Sequence, residues 1–185
     1  MLTGILAILA ISAAAGMRIA LPLLIIGFME SRSYWSNVPL LNQLHPQVVL
    51  AILISWSLFE LFGSKQLMGQ RVLQLIQLVL SPLAGFLLAV AVGKFADYTK
   101  PQLWLVGISG GGLAFLLQLV QVGWFFRLRG IPLWVAWVED VLSVLLVFYA
   151  FKAPEEGGLI AMMLVWLAIR SSTAWKKCQI SKVKN

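Results

Sequence analysis

The chain has 185 residues, 61% hydrophobic and 11% charged, with a net charge of +7 and a mean hydropathy of +0.92. A chain so apolar is a membrane protein through most of its length, which leaves almost no room for a soluble module. Its single cysteine, Cys178, excludes an intramolecular disulfide and a cysteine metal cluster.

A membrane span needs about 20 apolar residues. The first run, 2–29, is interrupted only by Arg18. It lacks the basic start of a signal peptide and stays apolar past the Ala13-Ala14-Ala15 stretch, so it reads as an uncleaved first span. Ser12, Gly16 and Ala20 offer one small-residue face for close helix approach. Pro22 removes an N–H from the ladder and frees the carbonyl of Arg18, which predicts a bend there. Counting residues from the start puts Arg18 about 24 Å up, in the outer half of a straight span. Its easiest partners at that depth are freed carbonyls or outer water rather than Glu139.

The connection 30–45 is the longest, and Tyr34, Trp35, Val38, Leu40 and Leu41 suit it to the membrane interface. His45, the only histidine, precedes Pro46 at a predicted helix start and reads as a surface or capping residue. The second span, 46–64, carries Glu60 with Ser57 one turn earlier. In the third, 72–93, Ser81-Pro82 followed by Gly85 predicts a second break. The fourth, 101–126, holds Gly107, Gly110, Gly111 and Gly112. Its Gly107-Ile108-Ser109-Gly110 string is similar to the nucleophile motif of rhomboid intramembrane proteases. Those enzymes use a histidine from a later span, and none follows Ser109 here. Ser109 therefore reads as part of a packing face, and no enzyme activity is expected.

The fifth span, 131–151, carries Glu139 and Asp140. Ala136, Glu139, Asp140 and Ser143 recur at helical spacing, so this polar stripe should face the bundle. If the helix starts near Pro132, the two acids lie about 10–12 Å from the cytoplasmic side. Glu60, Glu139 and Asp140 then share one third of the membrane with Lys65, Arg71, Arg127 and Arg129. Two readings stay open for them: salt bridges that fasten helix ends, or a cation or proton site opening to the cytoplasm. The sixth run, 157–169, extends to Trp175 by snorkelling of Arg170. A basic tail, 176–185, with Lys176, Lys177, Lys182 and Lys184, fits anionic lipid rather than nucleic acid.

The expected fold is thus all-α: a transmembrane bundle of about six helices over residues 1–175, with two three-helix inverted halves as one possible arrangement. With six crossings, nine basic residues face the cytoplasm and four face outward, which puts both termini inside. The same bias with an odd number of crossings would move the N-terminus and leave the C-terminus inside.

Gly16, Arg18 and Pro22 form an A-G-x-R-x-x-x-P motif. Together with Pro82-Leu83-Ala84-Gly85 and the Glu139-Asp140 pair, it resembles a family of small bacterial multi-pass membrane proteins known as a domain of unknown function. Members of that family are richer in acidic residues between the second and third spans, where this chain has SKQLMGQRVLQL. The resemblance implies an architecture and no activity. The residues singled out are Arg18, Pro22, Glu60, Pro82, Glu139, Asp140 and Ser143, with no cofactor expected. The function expected is a small ion- or proton-linked transporter or channel of the bacterial cytoplasmic or an internal membrane. The alternative is a non-catalytic subunit or assembly factor of a larger complex, or a homo-oligomer, in the bilayer.

Overall fold

A computed structural model describes residues 2–29, 38–63, 65–128 and 130–183, the side chains of Asn42, Leu67, Leu128 and residues 172–183 excepted. Its helices are α1 (Leu2–Met17), α2 (Ala20–Met29), α3 (Pro46–Gly63), α4 (Leu67–Phe95), α5 (Lys100–Leu128), α6 (Leu133–Lys152) and α7 (Pro154–Val183), with a 3-10 turn at Leu41–Gln43. Four of them, Pro46–Gly63, Met68–Phe95, Lys100–Arg127 and Leu133–Lys152, are long and apolar enough to cross a membrane. The chain is a helical membrane bundle, as its composition requires. Of the expected loop 30–45, residues 30–37 with Tyr34 and Trp35 lie outside the described residues, as do Arg129 and the side chains of Cys178 and the basic tail.

Local chemistry sets the helix limits. Pro46 and Pro154 open α3 and α7, where a missing N–H costs nothing. Glu155 and Glu156 in the first turn of α7 complement its dipole. Asp97 takes a positive φ of 54° in the tight turn between α4 and α5, a conformation that aspartate tolerates better than most residues.

The long helices alternate in direction, so the bundle has two ends. One holds Phe95, Lys100, Lys152 and Pro154; the other holds Gly63, Leu67, Leu128 and Leu133. α1 runs through the middle and packs on α4, α5, α6 and α7. Ala10, Ile11, Ala13, Ala14 and Ala15 are completely buried in it. Gly4 lies against Ala96 and Tyr98, and Leu6 against Gly158, so α1 starts at the Lys152 end. Ser12 then meets Gly110, and Gly16 meets Ala114 and Leu117, which makes α1 parallel to α5. From the rise per residue, α1 reaches about 25 Å along α5 and stops about 16 Å short of its other end.

The first expected span is built differently from a single bent helix. α2 does not continue along the α1 axis, and it packs chiefly on α3 and α6. Pro39 and Leu40 share a groove with Lys100, Leu103 and Trp104, back at the Lys152 end. Nine Cα steps separate Met29 from Val38, at most about 32 Å of chain. A straight continuation of α1 would leave Met29 about 40 Å from that end. Leu2 and Leu40 therefore lie at one end, with Arg18 and Ile19 at the tip of the two-helix hairpin that α1 and α2 form. α7 starts at the Lys152 end and reaches the other, where Trp124 Nε1 donates to Ser171 Oγ at 2.6 Å. Leu2 and the far half of α7 lie at opposite ends of the bundle.

The second expected break is absent, because α4 runs unbroken through Pro82 for 29 residues. Glycines explain what that segment does. A Cβ on Gly85 would sit 2.5 Å from Ala114 Cβ and 2.8 Å from the Gly110 carbonyl, so α4 and α5 touch backbone to backbone. α5, the counterpart of the broken segment in a three-plus-three arrangement, is also continuous over 29 residues.

Candidate functional site

The hairpin tip carries the site. Pro22 lies in the first turn of α2, where its ring would clash with the carbonyl of Arg18 in a continuous helix. The break accordingly falls at Arg18 and Ile19: the Arg18 N–H still closes α1 on Ala14 O at 2.9 Å, and the next two amides have no helical partner. Glu60 of α3 takes both. Ile19 N donates to its Oε1 and Ala20 N to its Oε2, each at 3.2 Å. Trp56 Nε1 and Gln77 Nε2 each add a hydrogen bond to Oε1 at 3.0 Å. A completely buried carboxylate is thus satisfied by four donors and the positive end of α2.

Arg18 points the other way, into α6. Its Nε donates to Asp140 Oδ1 at 2.6 Å and its Nη2 to Ala136 O at 3.5 Å, while Nη2 lies 3.7 Å from Glu139 Oε2. Lys65 Nζ reaches Asp140 Oδ2 at 2.7 Å and sits 4.2 Å above the Trp137 ring. The partner expected for Arg18 is therefore corrected. It pairs with both acids because α1 starts at the Lys152 end and meets α6 antiparallel at the stripe Ala136, Glu139, Asp140 and Ser143. All four stripe residues are buried, and Ser143 Oγ donates to Ala14 O at 3.4 Å.

Of the basic residues expected near the acids, Lys65 joins them, while Arg71 and Arg127 are exposed. Pro82 stands apart from the site. Ser81 beside it donates to Ala15 O at 3.4 Å. Ser109 Oγ turns back to Val106 O at 2.9 Å on the exposed side of α5.

The reading of the sequence missed a row of amides. Gln70, Gln74, Gln77 and Ser81 follow i, i+4, i+7, i+11 and are all buried on one face of α4. That spacing was the available signal. Gln118 of α5 donates to Gln74 Oε1 at 3.0 Å, and Gln70 pairs twice with the backbone of Ile131 at 3.0 Å. Arg18, Gln70, Gln74, Gln77 and Glu139 enclose a cavity of about 10 Å³, room for about one water. Gln77 Oε1 is buried there with no hydrogen-bond partner.

The three carboxylates differ in how well they are compensated. Glu60 has four donors, and Asp140 is held by both cations. Among the described residues Glu139 has only the Arg18 contact at 3.7 Å, beyond hydrogen-bond reach. Arg18 and Lys65 thus stand against Asp140 and Glu139, while Glu60 relies on neutral donors alone. Among the described residues no three histidine, cysteine or acidic side chains gather as a metal site.

No curated protein and no solved structure matches the chain. A family model, Domain of unknown function (DUF4126), matches residues 5–174 and so takes in the hairpin, the Glu60 cap and the acidic stripe. The chain belongs to this family.

Proposed function

We propose that the protein has a small ion- or proton-linked transport role in the membrane, with Glu139 as the group that exchanges its counterion or proton. The observation that carries this reading is the poor compensation of Glu139 beside a water-sized cavity. Ionisable groups that serve only to fasten helices are expected to be fully paired, as Glu60 and Asp140 are. Lys65, Arg71 and Arg127 mark one end of the bundle, and with the basic residues of α7 they support reading that end as the cytoplasmic one of a bacterial membrane. On that assignment the cluster lies in the cytoplasmic third, the C-terminal half of α7 is inside and Leu2 is outside.

We read the role as non-enzymatic; Ser109, whose string is similar to a protease nucleophile motif, bonds back to Val106 O of its own helix. The runner-up, a subunit of a larger complex or a homo-oligomer, draws on Gly112 and Gly123 of α5, beside which a Cβ would meet nothing. The other small-residue faces are used inside the bundle, Gly16 on Ala114 and Gly110 on Ser12 and Ala89.

The test is reconstitution into vesicles, with internal dyes reading proton, sodium and potassium movement under an imposed potential. Wild type should carry at least one of these ions, and Glu139→Gln should slow it at least tenfold while still eluting as a folded species. Absence of flux from wild type for all three ions overturns the transport reading and favours the subunit.

A further inference from the structure

Glu139 stands between two different spaces. On one side it borders an apolar groove of about 170 Å³ along Met17, Val120, Val138 and Leu142, in which Gln121 is the only amide side chain. Val138 and Leu167 on the rim of that groove are exposed, so it opens sideways at membrane depth. On the other side lies the polar cavity of about 10 Å³ behind Arg18. Two of its amide oxygens are already engaged: Gln70 Oε1 accepts from Ile131 N and Gln74 Oε1 from Gln118 Nε2, each at 3.0 Å. Two acceptors remain. Gln77 is 1% exposed, and its Oε1 is buried with no hydrogen-bond partner. Its orientation is fixed from behind, because the Glu60 carboxylate can accept only from the Gln77 N–H₂, which donates to it at 3.0 Å. The Glu139 carboxylate is the second, with no donor in hydrogen-bond reach among the described residues.

From these two acceptors on one water-sized cavity we infer that the site binds a single water molecule, held by Gln77, and that Glu139 exchanges a proton through it. The inference rests on the reading of Glu139 as the exchanging group and adds what it exchanges. An unmade hydrogen bond in a dry interior is costly, and a water repairs it where there is room and two to four polar partners. Gln77 Oε1 and Glu139 accept its two O–H groups, and Arg18, which lines the same cavity, donates to its oxygen. A bare inorganic cation is the poorer occupant: it would exchange its water shell for two oxygens and stand beside the Arg18 charge. In the step itself an excess proton on the water passes along the hydrogen bond to a Glu139 oxygen. The carboxylate becomes a neutral carboxyl, and the water is regenerated. The charged groups around this step are Arg18, Asp140, Lys65 and, behind Gln77, Glu60; α5 and α7 bring no ionisable side chain to the groove beside it. Gln77 is a positioning residue here, acting through the water. Gln70 in the first turn of α4 and Ile131 just before α6 line the cavity toward the Lys65 end, so it lies close to that end of the bundle.

The experiment is infrared difference spectroscopy of the full chain in vesicles as the pH is lowered. Wild type should show a carboxyl C=O band that Glu139→Gln lacks. With it should come an O–H stretching band of a buried water, recognised because it shifts in oxygen-18 water. Gln77→Met removes the waiting acceptor and fills the cavity; it should abolish the isotope-sensitive band and slow protonation of Glu139 at least tenfold after a pH jump. The inference is overturned if Glu139 gives no carboxyl band, if no isotope-sensitive band accompanies it, or if Gln77→Met leaves both band and rate unchanged. The isotope comparison in wild type stands even if Gln77→Met fails to fold. Both bands without flux of any ion would uphold this inference and overturn the transport reading. Glu139-dependent sodium or potassium flux without proton flux would overturn this inference and leave the transport reading intact.

Discussion

Replacing Glu60 by glutamine isolates what the buried cap contributes. The carboxylate accepts hydrogen bonds from Ile19 N, Ala20 N, Trp56 Nε1 and Gln77 Nε2 at 3.0–3.2 Å. Glutamine is nearly isosteric, yet it has one acceptor oxygen and turns an amide N–H₂ toward donors. With two lone pairs on that oxygen, where three donors now crowd Oε1, at most two of the four donors keep a well-formed hydrogen bond. Two orphaned donors in a dry interior cost about 1–3 kcal/mol each, and the lost charge at the α2 N-terminus adds about 0.3–1 kcal/mol. The upper limit is then about 7 kcal/mol. Polar contacts in membranes measure nearer 0.6 kcal/mol each, because the unfolded chain also finds partners there. The expected loss is therefore about 2–4 kcal/mol. Unfolding of the purified variant in a mixed micelle should show it, and Glu60→Ala should do no better than Glu60→Gln. A loss under about 0.5 kcal/mol would refute the argument that this carboxylate holds the hairpin tip in place.

Other consequences follow from the same packing. Arg18→Met leaves Glu139 without its cation and Asp140 with Lys65 alone, and should cost about 3–5 kcal/mol; adding Asp140→Leu should recover part of that in a double-mutant cycle, and simple additivity would show the pair to be uncoupled. Gly85→Ala should destabilise by forcing α4 and α5 apart, whereas Gly112→Ala, with open space around it, should be neutral or stabilise by up to about 1 kcal/mol; thermal midpoints of the two variants decide. Single cysteines placed at Leu2 and Asp97 in a Cys178→Ser background should react with a membrane-impermeant thiol reagent from the same side, opposite to one at Lys65; reaction of Leu2→Cys and Lys65→Cys from one side would contradict the hairpin.

The bundle was legible in the sequence because its signals are local. Apolar run length located α3 to α6, Pro46 marked a helix start, and the stripe from Ala136 to Ser143 pointed inward as its spacing required. The break near Pro22 was equally readable, since proline acts on its own i−4 carbonyl. The direction that α2 takes afterwards was not. It depends on Glu60, forty residues away, whose carboxylate completes the α2 amides, and nothing local to residues 17–20 announces that partner. The partner of Arg18 was missed for a related reason: its distance from the Leu2 end holds, but the charge count had put that end on the same side as Glu139 and Asp140. Pro82 erred in the opposite sense: the sequence signal for a break is present, yet α4 runs on through it, with Gly85 packed against Gly110 and Ala114 one turn later.

The central claim is that Glu139 alone among the three buried acids is open to exchange and to the apolar groove. A lipophilic carbodiimide partitions into the bilayer and modifies carboxyl groups it can reach there, and peptide mass spectrometry assigns the adduct. The account predicts modification at Glu139, with Glu60 and Asp140 protected by their donors and cations. Modification of Glu60 or Asp140 in preference to Glu139, or of none of the three, would contradict it.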